Sequence, residues 1–355
     1  MNTRPVLISR RIIGAGHPAL IVAEMSGNHN HDIKRALKII DVAADAGADA
    51  IKLQTYTPDT ITIDSDTKPF QVTWKGKHRT LYDLYDEAHT PWEWHARLFA
   101  HAKKHGLLCF STPFDRTAVA FLEKLKVPCY KVASYEIVDI PLLEAIGKTK
   151  KPVIMSRGMA SVEEISLAIK TLKKFGTKEI ILLHCISAYP ASPVDMHLAT
   201  IPDMKKRFGT HVGLSDHTLG TDVAIAAVAL GACVIEKHFT LRRADGGPDS
   251  SFSLEPKELS ALVKSVRTVE QAMGKPSYKQ SADEKTNIIF RKSLFVVKDI
   301  KKGERFTPEN VRSIRPGNGM APRFYRSILG RRATRDIKRA TPLRGNLIAS
   351  WKGNL

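Results

Sequence analysis

The sequence predicts an α/β protein: a (β/α)8 TIM barrel followed by a small β-rich domain. Two features of the 355-residue chain lead to this prediction. Between residues 19 and 273, eight short apolar segments alternate strictly with eight helical stretches, which is the pattern of a closed parallel barrel. The next residues are polar and lack an apolar period, and the remaining tail is too short to build a second large core. We therefore expect a barrel domain at 1–275, a linker at 276–290 and an accessory domain at 291–355.

A short hairpin is predicted at 5–18, ahead of the barrel. The predicted strands lie at 19–24, 50–54, 107–110, 129–132, 152–156, 180–185, 212–214 and 232–236. The predicted helices lie at 33–46, 92–105, 116–124, 141–148, 162–175, 204–208, 221–230 and 256–273. A doubly wound sheet would show the same alternation, but it would carry a GxGxxG turn after its first strand, and this sequence has none there.

The connection from residue 55 to residue 91 is unusually long for a loop between a strand and a helix. It contains TLYDLYDEA, which predicts a short helix over the mouth of the barrel. A loop of this length is more often a lid or a substrate wall than a spacer.

Composition limits the class of protein. The chain is 43% hydrophobic, but no apolar run approaches the ~18 residues of a membrane span, and the N-terminus lacks the apolar core of a signal peptide. We expect no membrane association. The cysteines are widely separated in apolar segments, at Cys109, Cys129, Cys185 and Cys233, which predicts buried reduced thiols in a cytoplasmic protein.

The formal net charge of +19 is concentrated at the C-terminal end, since residues 291–355 hold 17 basic and 4 acidic side chains. Such a basic segment suits either a polyanion partner or the attraction of small anionic substrates. The tail lacks the interleaved aromatic residues of a platform for single-stranded nucleic acid, so we expect no nucleic acid partner.

His217 and His238 each follow a short apolar strand, and one helical stretch separates the two strands. A strand–helix–strand unit makes the strands parallel neighbours, so both histidines are expected at the same end of adjacent strands. Catalytic groups gather at that end of a TIM barrel. Two imidazoles with carboxylates close by predict a divalent metal site with open positions, rather than two separate strand caps.

The other predicted strands also end in polar side chains, which would converge on one rim. The candidates are Glu24, Lys52, Gln54, Thr112, Lys131, Ser134, Glu136, Ser156, Ser187, Tyr189 and Ser215. The lysines and hydroxyls suit a phosphate or a carboxylate, and the glutamates suit metal binding and proton transfer. The residues alone leave two reactions open: a condensation on a small phosphorylated acid, or a lysine Schiff-base aldolase.

Seven motifs follow one another along the predicted strand ends. They are EMSGNHN at 24–30, KLQTYTPDT at 52–60, STPFD at 111–115, KVASYE at 131–136, HCISAYP at 184–190, GLSDHT at 213–218 and EKHFTL at 236–241. Together they resemble the sialic acid synthase family, whose members condense phosphoenolpyruvate with an aminosugar aldehyde. The resemblance includes the tail, where RPGNG at 315–319 is similar to the family's antifreeze-like (SAF) domain.

Within that family, two segments are most similar to the pseudaminic acid synthases. They are TPWEWH at 90–95 and RRADGGPDSSFSLEP at 242–256. The resemblance implies a 2,4-diacetamido-2,4,6-trideoxy-altrose as the sugar substrate. The alternative is a synthase of N-acetylneuraminate or legionaminate, which uses N-acetylmannosamine or a related sugar.

The resemblance also implies roles for individual residues. His217 and His238 would bind Mn²⁺ or Mg²⁺, which acts on the sugar aldehyde. Phosphoenolpyruvate would be held by Lys52, Thr112, Lys131, Ser134, Ser156, Ser187 and Ser215. Glu24 and Glu136 would transfer protons. The sugar would be contacted by Gln54, Tyr189 and Asp249. Arg315 would reach the sugar's acylamino group in a partner subunit, which implies a domain-swapped homodimer.

Three positions depart from the family pattern. Ser187 stands where many members have asparagine, Ala340 stands where glycine is usual, and His31 is an unexpected residue in the first loop. We expect His31 to be a solvated surface residue, and Ala340 to affect the local turn rather than the chemistry.

Overall fold

The computed structural model, which describes residues 4–74 and 76–352, contains the predicted barrel. Its strands are β1 Leu20–Glu24, β2 Ala50–Thr55, β3 Leu108–Pro113, β4 Tyr130–Val132, β5 Val153–Ser156, β6 Ile180–Cys185, β7 His211–Asp216 and β8 Val234–His238. All neighbouring strands are parallel, and β8 pairs with β1 to close the barrel. The predicted fold class is confirmed.

Eight helices follow the strands in turn. They are α1 Ile33–Asp45, α2 His95–Lys104, α3 Arg116–Lys124, α4 Ile140–Lys148, α5 Val162–Phe175, α6 Thr200–Phe208, α7 Asp222–Ala229 and α8 Pro256–Met273. Several begin at a side chain that caps the free backbone N–H groups: Asp32 accepts from the N–H of Lys34, and Ser161 from that of Glu164.

Some predicted boundaries are wrong by a few residues. Helix α6 begins at Thr200 instead of residue 204, because Pro202 lies in the first turn, where a missing N–H costs no hydrogen bond. Strand β7 extends to Asp216 and β8 to His238, beyond their predicted ends at 214 and 236. These extensions bring His217 and His238 directly to the strand ends.

Alternate residues of each strand point into the barrel. The interior is filled by aliphatic and aromatic side chains such as Leu20, Val22, Phe110, Ile154 and Val234. Residues of the opposite parity pack outwards against the helices. Because side chains alternate, the inward face of each strand continues to the C-terminal rim, where polar residues replace apolar ones.

The long connection after β2 forms a folded cover, named here the 56–91 loop. It contains helices at Pro58–Ile61 and Leu81–Ala88, the second within the predicted TLYDLYDEA segment. Between them lies an antiparallel hairpin of Gln71–Trp74 with Lys77–Thr80. The predicted N-terminal hairpin is also present, as Val6–Ile8 paired with Arg11–Ile13.

The chain divides into two compact units between Gly274 and Lys275. The second unit starts with a polar segment that carries a short helix, Ala282–Thr286. Its core contains Leu294, Phe306 and Ile328, and its two-stranded sheet pairs Ser293–Val296 with Val311–Ile314. Short bridges supply much of its remaining β structure, and a four-residue helix lies at Tyr325–Ile328.

Arg315 lies on an exposed loop of the second unit. This loop is held at both sides, since Ser293 Oγ donates to Pro316 O at 2.6 Å and accepts from Gly319 N at 2.8 Å. Ala340, where the family pattern has glycine, adopts a left-handed φ of 67°. That conformation is costly for a residue with a Cβ, so the departure affects the local turn, as expected.

Within the two described ranges, none of the helices combines the length and the apolar character needed to cross a bilayer. The four cysteines are buried and unpaired, as the sequence predicts.

Candidate active site

Four charged side chains meet at the C-terminal rim, and this group is named the charge cluster. Lys52 Nζ lies 2.7 Å from Glu24 Oε2 and 3.5 Å from Glu236 Oε1. Lys131 Nζ lies 3.8 Å from that same oxygen of Glu236. No side chain of the four is more than 6% exposed. Two ammonium groups thus balance two carboxylates in a space that excludes water, an arrangement frequent at catalytic sites.

Burial and neighbouring charges separate the pKa values of the two glutamates. Burial raises the pKa of Glu24 to about 7, in spite of the nearby ammonium of Lys52. Burial acts in the same direction on Glu236, but Lys131 and Lys52 together outweigh it and hold the pKa of Glu236 below its ordinary value. Glu236 is therefore a permanent counter-ion, whereas Glu24 exchanges its proton near neutral pH.

Each lysine of the charge cluster also bonds a hydroxyl group. Lys52 Nζ donates to Thr112 Oγ1 at 3.3 Å, and Lys131 Nζ donates to Ser156 Oγ at 2.8 Å. A buried ammonium next to a hydroxyl is a combination that binds phosphate and carboxylate oxygens. These four side chains form the innermost part of a candidate anion site.

Three more serines complete this region. Ser215 Oγ donates to Glu236 Oε1 at 3.2 Å, and Ser187 Oγ donates to Ser134 Oγ at 2.8 Å. The backbone passes close behind this second pair at Gly158, which has a φ of 48°. A Cβ on Gly158 would lie 2.3 Å from Cβ of Ser134, so a side chain there would push the serines apart.

His217 and His238 lie side by side at neighbouring strand ends, with ring centroids 5.4 Å apart. Nδ1 of His217 is 2.8 Å from the carbonyl oxygen of Ile186. A carbonyl only accepts, so Nδ1 carries the proton and Nε2 has the lone pair. Nδ1 of His238 has no hydrogen-bond partner among the described residues, with Asp249 Oδ2 3.6 Å away.

Burial lowers the pKa of both imidazoles, most strongly that of His238. Both are therefore neutral at physiological pH, which is the form that binds a metal ion. A buried imidazole nitrogen without a partner, beside a second imidazole and a carboxylate, fits a divalent cation that keeps open coordination positions.

The strand ends that carry the two histidines are fixed from outside the barrel. Asp216 and Lys237 are paired in the β7–β8 register, and Lys237 Nζ lies 3.0 Å from Asp216 Oδ2. Lys237 Nζ also donates to the carbonyl oxygens of Thr218 and Gly220 at 2.6 and 3.0 Å. This buried pair faces away from the charge cluster and holds both strand ends in place.

A cavity of about 420 Å³ opens at the same rim and is named the rim chamber. One wall is polar and includes Gln54, Ser134, Glu136, Tyr189, His238 and Asp249. Another wall comes from the 56–91 loop and includes Tyr56, Ile61, Trp74, Leu84 and Tyr85. Its volume falls in the range of small-molecule sites, roughly 300–1,000 Å³.

The polar wall of the rim chamber is connected to the charge cluster. Gln54 Nε2 donates to Glu24 Oε1 at 3.0 Å, and Ser26 Oγ donates to Asp249 Oδ2. Burial raises the pKa of Glu136 to about 7, so this carboxyl also exchanges its proton near neutral pH. Tyr189 packs its ring against His217, with centroids 4.4 Å apart.

The structure thus brings the barrel's predicted site residues to one rim. Arg315 belongs to the second unit. His31 is exposed, as expected, and its ring lies 4.8 Å from that of His89.

Two parts of the site were missed. Glu236 was not among the predicted site residues, although it lies two positions before His238 and therefore on the same inward face. The wall formed by Trp74 and Tyr85 was also missed, because only the length of the 56–91 loop indicated a substrate wall.

A different cluster of metal-ligating side chains lies at the opposite end of the barrel. Asp41, His101 and His105 place their ligand atoms within 4.8 Å of one another, and they form the one such group of three found in the described parts of the chain. His101 lies in α2 and His105 just beyond it, before β3 begins. The cluster is therefore at the N-terminal end of the strands, away from His217 and His238.

Comparisons with known proteins agree with this geometry. Residues 39–278 match the NeuB family model, and residues 291–349 match the SAF domain model. The pseudaminic acid synthase of Campylobacter jejuni is 46% identical over 90% of this chain and 93% of its own length. The N,N'-diacetyllegionaminic acid synthase of that species is 42% identical over 90% and 97%. A crystal structure of N-acetylneuraminic acid synthetase from Leptospira borgpetersenii superposes with a TM-score of 0.72 and 35% identity, over 81% of this chain and 95% of that one.

Proposed function

The chain belongs to the NeuB family, and we propose that it is a pseudaminic acid synthase. The proposed reaction joins phosphoenolpyruvate, 2,4-diacetamido-2,4,6-trideoxy-altrose and water to give pseudaminic acid and phosphate. One structural observation carries the proposal. A buried anion site, a pair of neutral imidazoles and a chamber with a partly apolar wall lie together at one barrel rim.

Phosphoenolpyruvate carries a carboxylate and a phosphate, and both need donors that replace water. Lys52 and Lys131 supply the charge, and the hydroxyls supply further donors: Thr112, Ser134, Ser156, Ser187 and Ser215. Glu236 lies close to both ammonium groups, and its negative charge favours their protonated form in the free enzyme.

The proton balance of the reaction suits carboxyl groups that titrate near neutrality. The enol carbon of phosphoenolpyruvate forms a bond with the aldehyde carbon, and the aldehyde oxygen takes up a proton. Water then adds to the former enol-phosphate carbon and gives up one proton. The C–O bond to phosphate breaks, phosphate leaves with the electron pair, and the hydroxyl group loses its proton to phosphate or to a carboxylate as the keto group forms. Glu24 and Glu136, each with a pKa of about 7, are suited to release and accept these protons.

His217 and His238 would hold a divalent cation, Mn²⁺ or Mg²⁺ in this proposal. When bound, it supplies Lewis-acid polarisation of the sugar aldehyde. The protein contributes the position of the two rings. The Ile186 carbonyl fixes the tautomer of His217, and Tyr189 packs against its face. Gln54, Tyr189 and Asp249 line the rim chamber where the sugar would lie.

A Schiff-base aldolase would use one of the two lysines as a nucleophile. Borohydride should trap such an enzyme on Lys131 or Lys52 in the presence of substrate, and a metal would not be needed. The condensation accounts for the imidazole pair, which a Schiff base leaves without a role.

The sugar preference provides the direct test of the proposed function. We expect kcat/KM for the diacetamido trideoxy sugar to exceed that for N-acetylmannosamine by at least about 10-fold, because polar groups shaped for the second acetamido group stay unpaired with the latter. Phosphate release from purified protein, phosphoenolpyruvate and each sugar is the measurement. Equal efficiency on both sugars, or a preference for N-acetylmannosamine, would overturn the proposal and favour a neuraminate synthase.

We also propose that the enzyme is a domain-swapped homodimer in which Arg315 contacts the sugar bound to the partner subunit. Arg315 is exposed, lies on a loop held by Ser293, and has no hydrogen-bond or ion-pair partner within the described ranges. A guanidinium offers several donors in a fixed plane, which suits an acylamino oxygen.

Complementation tests this arrangement. His217→Ala and Arg315→Ala should each be nearly inactive alone. When the two chains are co-expressed and pair at random, roughly half of the dimers are mixed and contain one intact site of two, so activity should return to roughly a quarter of wild type. If Arg315 acts on its own barrel, no mixed dimer has an intact site, and activity stays at the level of the single variants.

A further inference from the structure

We propose that Trp74 and the apolar wall around it form the subsite for the second acylamino group of the sugar, with the indole N–H donating to its carbonyl oxygen. This inference rests on the proposed function and assigns a specificity-determining role within it. Neither the motifs at the strand ends nor the catalytic groups described above include this residue.

The 56–91 loop has the internal contacts of a fixed wall. Its hairpin places Trp74 opposite Lys77 in the register, and the following helix is capped by Thr80, which accepts from Asp83 N at 3.0 Å. Arg79 Nη2 donates to the carbonyl oxygen of Asp83 at 2.6 Å. Tyr82 Oη donates to Asp59 Oδ1 at 3.3 Å and so joins the two helices of the loop. These bonds join the hairpin that carries Trp74 to the helix that follows it, and that helix to the one at Pro58–Ile61.

The indole of Trp74 has an unused donor. Trp74 lines the rim chamber, yet its Nε1 is buried and bonds to no acceptor in residues 4–74 or 76–352. Trp92, which follows the same loop, donates its Nε1 to the carbonyl oxygen of Tyr56 at 3.1 Å. A buried N–H without a partner is destabilising, and a substrate acceptor would remove that cost.

The chemistry of the wall selects the ligand group. An indole N–H only donates, so its partner must offer an acceptor. Other side chains that line the rim chamber, Ile61, Leu84 and Phe114, offer apolar surface. An N-acetyl group supplies both, because its carbonyl oxygen accepts while its methyl group packs on aliphatic and aromatic carbon.

The second acetamido group, at C4, is the one that reaches this wall. The reacting aldehyde carbon belongs at the polar wall, near His238 and Glu136, so the far end of the sugar faces the 56–91 loop. The carbonyl oxygen of an acetamido group lies three bonds from C4, whereas a hydroxyl oxygen lies one bond from it. A sugar with only a hydroxyl at C4 therefore leaves the indole N–H unpaired.

Trp74→Phe tests the subsite, since it keeps an aromatic ring and removes the N–H. The two substrates are the diacetamido sugar and its analogue with a hydroxyl at C4, each measured as kcat/KM or, without turnover, as an inhibition constant. We expect Trp74→Phe to lose about 10-fold on the diacetamido sugar, mainly through KM, and less than about 2-fold on the analogue. Trp92→Phe is the matched control, and its effect should be equal on both sugars.

The outcomes separate this inference from the proposed function. A wild-type enzyme that does not turn over the diacetamido sugar overturns both. A wild-type enzyme that prefers the diacetamido sugar, combined with equal losses on both sugars in Trp74→Phe or no loss on either, overturns the subsite alone. The melting temperatures of both variants should match that of wild type. If Trp74→Phe has a lower melting temperature and loses kcat/KM equally on both sugars, the role of Trp74 is to stabilise the 56–91 loop, and the subsite is also overturned.

Discussion

Replacing Lys131 with methionine is expected to lower kcat/KM for phosphoenolpyruvate by about 100- to 1,000-fold while the protein still folds. Lys131 lies in the charge cluster, where two ammonium groups balance two carboxylates. Its removal leaves Glu24 and Glu236 with only Lys52, so a substrate with two anionic groups enters a region that already carries negative charge. The loss is of the size seen when one preorganised donor to a developing charge is removed.

The fold should tolerate this change. Burial lowers the pKa of Lys131, which means that the interior disfavours its charged form. Methionine has a similar length and no charge, so it avoids that desolvation cost, and Glu236 keeps Lys52 at 3.5 Å. We expect a melting temperature close to that of wild type together with a large catalytic defect.

Lys151→Met is the matched control. This lysine pairs with Glu123 at a quarter-exposed position outside the barrel, where an ion pair contributes about 1 kcal/mol or less. Its steady-state kinetics should match those of wild type within about 2-fold. If Lys131→Met folds normally and binds phosphoenolpyruvate as tightly as Lys151→Met does, the anion site is not formed by the charge cluster.

The sequence was sufficient for the barrel and for most of the rim because both depend on local periodicity. Strand and helix alternation predicts the parallel order, and parallel order places the last residues of all strands at one end. His217 and His238 were predicted as a pair on this basis alone. Their strands are indeed neighbours in the barrel, and their rings lie 5.4 Å apart.

The role of Glu236 could not be predicted from its residue type and its place near a strand end. A glutamate followed by lysine near a strand end is also compatible with a solvated pair, and only the register shows which of the two points inwards. In the structure Glu236 faces Lys52 and Lys131, while Lys237 pairs with Asp216 on the other side. Counting back from His238, which faces inwards, predicts that Glu236 also faces inwards and that Lys237 faces outwards, because residues two apart on a strand share a face.

The hairpin of the 56–91 loop was not predicted because its strands pack on a cavity instead of a core. Its first strand alternates exposed and half-buried residues, as in QVTW, and Gly76 adopts a φ of 75° in the turn. The alternating pattern and the turn glycine do indicate a hairpin, but the pattern covers only four residues and no large apolar face accompanies it. Trp74 becomes a candidate site residue only because it lines the rim chamber, and this cavity exists only in the folded barrel.

Loss of the metal is expected to abolish activity, and His217→Ala should reproduce that loss. A chelator should inactivate wild-type enzyme and Mn²⁺ should restore it, since two neutral imidazoles hold a divalent cation reversibly. His217→Ala removes one of the two ligands, and we expect its activity to fall by more than about 100-fold, because even changes to groups behind a ligand cost about 10- to 100-fold. Added Mn²⁺ should not restore it to the wild-type level.

The chain supplies its own control for metal effects that do not involve the rim. Asp41, His101 and His105 form a second cluster with ligand atoms within 4.8 Å, at the opposite end of the barrel. His101→Ala disrupts that cluster and leaves the rim untouched, so it should keep wild-type activity and the wild-type response to chelator and Mn²⁺. If His101→Ala is the variant that loses metal-dependent activity while His217→Ala keeps it, the metal acts at the far end of the barrel, and the imidazole pair at the rim is not its site.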